Sequence, residues 1–193
     1  WALSAEVTYI RDPGLVLVLA DSRKVSAAAF KEHAYANRHY HELTYDKAGE
    51  AKLTKKPLAP AWLGWERRAE LSRLTYLPGA AAITDASEWN TWPGWGCEPR
   101  PGPVTLWAEL LDYLFSTDPV RAHRVWFERW LAYPLQHPGT KLYSAAVLWG
   151  ATQGTGKSLV GYSLARVYGA NFVEISDENL AGTFNEWAQC KQF

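Results

Sequence analysis

Gly150-Ala151-Thr152-Gln153-Gly154-Thr155-Gly156-Lys157-Ser158 is the stretch on which the reading of this chain turns. It follows a continuous apolar run, Tyr143–Trp149, which reads as a strand buried on both faces. It precedes an amphipathic pattern, Leu159, Tyr162, Leu164 and Val167, which predicts a helix from Lys157 to about Tyr168. Strand, glycine-rich turn and helix form the context in which the template GxxxxGK[ST] carries physical meaning. A polyphosphate is a dense anion, and a loop that wraps it must turn several backbone N–H groups inward. That requires residues without bulky side chains at unusual dihedral angles, and Gly154 and Gly156 supply them. The helix would aim its N-terminal N–H groups and its dipole at the same anion. Gly156-Lys157-Ser158 matches the end of the template in full. The first template glycine falls on Ala151, one residue after Gly150, where alanine adds a single methyl group. Lys157 would reach the β- and γ-phosphate oxygens, and the Ser158 hydroxyl would take a bridging Mg2+. The predicted nucleotide-binding set is therefore Ala151, Thr152, Gln153, Gly154, Thr155, Gly156, Lys157, Ser158 and Leu159. Lys157 is the expected catalytic cation, Ser158 the expected metal ligand, and ATP with Mg2+ the expected cofactors.

Working outward from the loop, Asn171–Ile175 is a second candidate for a buried strand, and Asp177 would cap a helix running to about Gln189. A P-loop ATPase needs a second acidic motif, an apolar strand ending in Asp or Glu. After Ser158 the only carboxylates are Glu174, Asp177, Glu178 and Glu186, and none ends such a run. The acidic motif is accordingly expected beyond Phe193. On the N-terminal side, Val104–Phe115 carries an i, i+3, i+4 apolar stripe. A second helix is expected from Asp118-Pro119, with Asp118 as cap and Pro119 at the first helical position, to about Leu135. Residues 93–103 hold four Pro and three Gly in eleven residues, which no helix or central strand tolerates. This connector separates an upstream region, 1–92, from the P-loop region, 104–193. Upstream, Glu6–Arg11 and Gly14–Ala20 read as strands around the turn Asp12-Pro13-Gly14, and Asp21–Lys24 reads as a further turn. A helix capped by Ser26 is expected over Ala27 to about Tyr35. Thr44–Lys56 reads as a loop or weak hairpin, Trp62–Leu71 as a helix, and Arg73–Leu77 as a strand.

The 193 residues include 20 basic and 20 acidic side chains, 48% hydrophobic residues, 11 Trp, two Cys and no Met. That content excludes low-complexity disorder, and the charge balance excludes a wholesale basic nucleic-acid arm. The chain begins at Trp1 without a methionine, which is read as the mark of a piece of a longer protein. Cys97 and Cys190 share no metal-type spacing, and the five His make no HExxH pattern, so a zinc site is not expected. Such sparse cysteines fit a reducing cytosol. The longest apolar run, Leu15 to Ala20, is too short to span a membrane. Lys47 to Arg73 is the one net basic stretch, able in principle to contact phosphates. Trp62, Trp65, Trp89, Trp92 and Trp95 are expected to pack rather than stack bases. Asp177 and Glu178 are read as capping residues, and Glu109 and Asp112 as a solvated helix face. Arg121, Arg124 and Arg129 are read as surface charges ahead of the alternative, an arginine finger.

Several ordered blocks give the segment from Trp89 to Phe193 a resemblance to a known family. They are Trp89-Asn90-Thr91-Trp92-Pro93-Gly94-Trp95, then Trp130-Leu131-Ala132-Tyr133-Pro134-Leu135-Gln136-His137-Pro138. Leu148-Trp149-Gly150 leads next into the P-loop, and Leu180-Ala181-Gly182-Thr183-Phe184-Asn185 closes the series. The segment resembles the helicase portion of phage and plasmid primase–helicases, the superfamily 3-like AAA+ group. The resemblance implies an α/β fold: a P-loop NTPase, AAA+-like, parallel-sheet core, incomplete here, preceded by a small α+β accessory region. It implies an ATP-driven helicase that acts on single-stranded or forked DNA during mobile-element replication in the cytoplasm of a bacterial host. It also implies a homo-oligomeric ring, such as a hexamer, with no membrane partner. Two other readings remain open on the residues alone. One is a P-loop kinase for a small substrate, although its loop would be expected near the chain start. The other is a non-catalytic module that binds nucleotide to hold its fold.

Overall fold

The computed structural model describes residues 2–182 and 186–192. The protein is a mixed α/β chain of two compact units. The first comprises residues 1–75 and 81–90, the second residues 76–80 and 91–193.

The first unit is built on a five-stranded mixed sheet. In chain order its strands are β1 (Val7–Asp12), β2 (Leu15–Val18), β3 (Arg23–Ser26), β6 (Glu70–Thr75) and β7 (Trp89–Asn90). In space they run β3-β2-β1-β6-β7. The first three form an antiparallel meander, while β6 lies parallel to β1 and β7 parallel to β6. Val7, Val16, Val18 and Val25 from the meander join Leu3, Phe30, Ala59 and Trp62 in one core. Trp62 is fully buried, and its indole N–H donates to Ser4 Oγ at 2.9 Å, so burial leaves no polar cost at that ring. The expected Ser26 cap forms: its hydroxyl accepts from Ala29 N at 3.2 Å and opens the short helix α1 (Ala27–Ala29). That helix continues as a π-turn over Phe30–Ala34.

Between α1 and β6 the chain makes a second, two-stranded sheet, β4 (His39–Tyr45) paired with β5 (Ala51–Pro57). The polar stretch from Thr44 to Lys56 is thus part of a hairpin, with Asp46 closing its turn by accepting from Ala48 N and Glu50 N. The helix expected over Trp62–Leu71 is corrected. Helix α2 spans Leu58–Leu63 and stops at Gly64, and residues from Glu70 onward join β6. Arg68 explains the break, since it lies over the Tyr9 ring at 4.2 Å and pairs with Glu70 at 2.9 Å, which ties this segment to the sheet.

The second unit packs three helices, α3 (Thr105–Leu114), α4 (Ala122–Gln136) and α5 (Lys157–Tyr168). Leu111, Phe127, Leu131, Val160, Leu164 and Tyr168 form its core. The Pro- and Gly-rich residues 93–103 belong to this unit, and Trp95 packs edge-on against Tyr168 with ring centroids 5.5 Å apart. Gly96 N donates to Val167 O at 2.8 Å. A Cβ at Gly96 would stand 2.7 Å from Gly169 Cα, so two backbones touch here in a way only glycine allows.

Asn171 ties these pieces together. It is fully buried; its amide N–H2 donates to Gly94 O at 2.7 Å and Tyr168 O at 2.9 Å, and its Oδ1 accepts from Tyr76 OH at 2.8 Å. Burial pushes the Tyr76 hydroxyl up to about 12, with the nearby Cys190 adding to the effect, so it stays a donor to Asn171.

Four expectations are corrected in this unit. First, Tyr143–Trp149 is not a strand, and Tyr143, Val147 and Trp149 are exposed. Ala146 and Leu148 pack on the helices, and Ser144 Oγ accepts from the Trp130 indole at 3.0 Å. A segment apolar on both faces becomes a strand when neighbours pair with it and both faces are covered. Here the helices cover one face, and no strand pairs with it among the described residues. Second, Asn171–Ile175 is likewise not a strand: Asn171 ends a 3-10 turn begun at Gly169. Among the described residues the parallel pairings lie in the first unit, not around the glycine-rich loop. Third, α4 begins at Ala122, because Arg121 adopts a left-handed conformation with φ 55°. Asp118 still caps it, accepting from His123 N at 2.8 Å and Arg124 N at 3.2 Å, but across a turn that contains Pro119. Fourth, Ser176 rather than Asp177 caps α6 (Asp177–Ala181), through a reciprocal pair with Asn179. That helix ends at Ala181, far short of Gln189, where the chain instead makes a 3-10 turn over Glu186–Ala188. Phe184 and Asn185 lie outside the described residues.

Replacing Asn171 with Ala strips partners from two carbonyls and one hydroxyl at once. At about 1–3 kcal/mol for each buried group left unpaired, the variant is expected to lose several kcal/mol. Chemical denaturation should show it, and a loss under 1 kcal/mol would contradict the role given to this amide.

Candidate phosphate-binding loop

The glycine-rich turn before α5 takes its geometry from two glycines. Gly154 has φ 74° and Gly156 φ 88°. Gly156 is the residue from which α5 departs, so the helix begins at Lys157, as the sequence predicts. Lys157 does not extend into solvent. Its ammonium turns back into the loop and donates to Thr155 Oγ1 at 2.9 Å and Thr152 O at 3.3 Å. A Cβ added at Gly150 would lie 3.5 Å from Lys157 Nζ, so the loop closes around the charge from its first residue. Ala151, Thr152, Gln153 and Gly154 are exposed, Thr155, Gly156 and Lys157 are half-buried, and Ser158 and Leu159 are exposed.

Two cavities meet at Lys157. One, of about 440 Å³, is lined by Gln153 through Leu159. The other, of about 580 Å³, is lined by Gly150, Ala151, Thr152, Thr155 and Lys157 on one side, with Tyr113–Thr117 and Val147–Trp149 opposite. No carboxylate lines either cavity. A cation, free hydroxyls and a helix N-terminus in a space without competing acids suit an anion with several oxygens. Among the described residues no group of three or more His, Cys, Asp or Glu could hold a metal ion. Ser158, the residue the sequence offers as a metal ligand, is exposed next to Lys157 in the first turn of α5.

Comparison with family models, with curated proteins and with solved structures gives no match for this chain.

The weaker candidates separate clearly. Arg124 is tied to Asp112 and, at 3.4 Å, to Glu128, so its charge is spent within its own helices. Arg121 also reaches Asp112, at 3.2 Å, and Arg129 is exposed. Asp112 thus serves as an ion-pair partner on the solvated face, and Glu109 is exposed beside it. In the basic stretch, Lys56 pairs with Glu42, Arg68 with Glu70 and Arg73 with Glu88. Trp62 and Trp65 belong to the first core, and Trp92 and Trp95 pack edge-on at 5.7 Å. Trp89 is half-buried in β7. Cys97 and Cys190 are free and exposed. No described helix is long and apolar enough to cross a membrane.

The lining residues that the sequence did not tie to the loop are Tyr113 to Thr117, because their relevance comes from where the end of α3 is placed.

Two loop substitutions separate space from backbone strain. At Gly156 an added Cβ would stand 2.9 Å from Leu110 Cδ1 and force a left-handed conformation. At Gly154 nothing lies within 4 Å, so only the conformational cost of about 1–2 kcal/mol applies. Gly156→Ala should therefore lower the midpoint of thermal unfolding more than Gly154→Ala does; equal losses would contradict this packing.

Proposed function

We propose that this protein binds ATP with Mg2+ through residues 151–159 and belongs to an ATP-dependent DNA helicase of the primase–helicase type. One observation carries the nucleotide reading: the Lys157 ammonium is held inside a loop whose two positive-φ glycines open α5. In this reading Gly154 and Gly156 let the backbone approach the phosphates, and the first N–H groups of α5 bind the terminal oxygens. Lys157 exchanges its bonds to Thr152 and Thr155 for the β- and γ-phosphates. Ser158 would be the residue that holds Mg2+, and the ion would supply positive charge to offset that of the phosphates.

The AAA+-like P-loop fold, the ring assembly and the single-stranded or forked DNA substrate are part of the same proposal. They rest on the ordered sequence blocks around the loop. The chain's own contribution, in either case, is binding: the two cavities at Lys157 offer no general base for water.

Lys157→Ala tests the cradle directly. Titration with ATP and Mg2+ should show at least a tenfold loss of affinity, on the scale of about 1.4 kcal/mol per factor of ten. Unchanged affinity refutes the cradle. For the helicase reading, the full-length protein should show ATP hydrolysis that rises on adding single-stranded DNA. Phosphate transfer to a small acceptor, with no response to DNA, would select the kinase reading instead.

A further inference from the structure

In the first unit, the hairpin of β4 and β5 turns its apolar face to solvent. Its strands pair in register from His39 opposite Pro57 to Tyr45 opposite Ala51, and directly opposed residues share a face. One face carries Tyr40, Glu42, Thr44, Thr54 and Lys56, all half-buried, and the exposed Lys52 near the turn. Two pairs on that face bind across the strands: Lys56 with Glu42, and the hydroxyls of Thr44 and Thr54 at 2.9 Å. The other face carries His41, Leu43 and Tyr45 on β4 and Ala51, Leu53 and Lys55 on β5, all exposed. Leu43 and Leu53 stand directly opposite each other, 54% and 65% exposed, with Tyr45 beside them at 69%. A ribbon with only water to meet would show water its polar side chains and cover the leucines.

The two ends of this outer face differ in charge. Two residues beyond the leucine pair, toward the open end of the hairpin, stand Lys55 and His41. At the other end the turn carries Asp46, Lys47 and Glu50, all exposed, which is one negative charge net. No carboxylate stands on the face itself. An apolar centre between a cationic end and an anionic end is complementary to its own copy turned end for end.

We propose that the outer face of the β4–β5 hairpin is a self-association surface, on which two copies of this chain pack about a two-fold axis that crosses the strands at Leu43 and Leu53. The proposal is independent of the nucleotide reading above. In this packing each copy lays the same patch on the other, and the leucine pairs meet at the centre. His41 lies over the partner's Tyr45, and Lys55 over the partner's Ala51, whose single methyl leaves the ammonium room to reach the partner's Glu50. Two seven-residue strands make a face about 24 Å long. That buries less than the roughly 800 Å² per partner of a standard interface, so the pairing is weak and reversible.

Sedimentation velocity of the full chain over a dilution series, without nucleotide, is the test. The chain should be monomeric when dilute and form a dimer reversibly as concentration rises. Leu53→Lys places an ammonium at the centre of the face and should abolish the dimer. Lys55→Glu and Glu50→Lys are each felt twice in a two-fold dimer, so each should raise the dissociation constant about tenfold. The chain carrying both reversals should regain the dimer, an outcome that a general loss of structure does not produce. Lys157→Ala should pair as the unaltered chain does, which separates this contact from an assembly built around nucleotide. A chain that stays monomeric at every concentration overturns the proposal. So does a dimer that is indifferent to the hairpin substitutions or lost in Lys157→Ala. A monomer that binds a single-stranded oligonucleotide, less tightly after Lys55→Glu, also overturns it and gives the face to nucleic acid. Circular dichroism checks each variant, and if Leu53→Lys alters the spectrum the charge reversals decide alone.

Discussion

The amide of Asn171 is the constraint on which the loop-bearing unit depends. A planar group with two donors and one acceptor oxygen sits where water cannot reach, and each of those functions is met by protein. Its partners come from the segment of Tyr76, the Pro- and Gly-rich stretch and the last turn of α5. These are distant in sequence, and an apolar side chain could fill the same space without fixing their relative positions. Hydrophobic packing is tolerant of small shifts; a buried amide that must satisfy three groups is not. The contact between Gly96 and Gly169 is the steric complement, since it lets Gly94 O come within reach of the amide.

That anchoring sets where α5 ends, and so where it begins. Twelve residues earlier its first turn meets the glycine-rich loop. Val160 and Leu164 fix the helix against Leu111 and Phe127. Leu110 of α3 lies so close to Gly156 that a side chain there would collide. The position of Lys157 is thus determined by packing on one side and by a left-handed glycine on the other. A flexible ammonium could lie anywhere on a surface, but here it is folded into the loop by bonds to Thr152 and Thr155.

What was legible in the sequence follows from how local each signal is. Ser26 as a cap, the β1–β2 hairpin, α3 and the start of α5 rest on residues within a turn or two of each other, and all were readable. The Asp118 cap was readable too, although its position relative to α4 was shifted by the left-handed Arg121. The apolar run at 143–149 was not, because whether such a run becomes a strand depends on neighbours remote in the chain. Trp62–Leu71 failed for a similar reason: Arg68 is drawn to Tyr9 and Glu70 on the sheet, a contact across nearly 60 positions in sequence for the ring. Within the candidate site, residues 151–159 were legible as a motif. Tyr113–Thr117 were not, since their place beside the loop arises from how α3 is positioned.

A net charge of zero conceals how unevenly charge is used. Between α3 and α4, Arg121 pairs with Asp112, and Arg124 with Asp112 and Glu128. Lys157 is different: its ammonium is met by a hydroxyl and a carbonyl, neither of which carries a formal charge. An ammonium held only by neutral groups keeps its full charge for an anion that enters the loop.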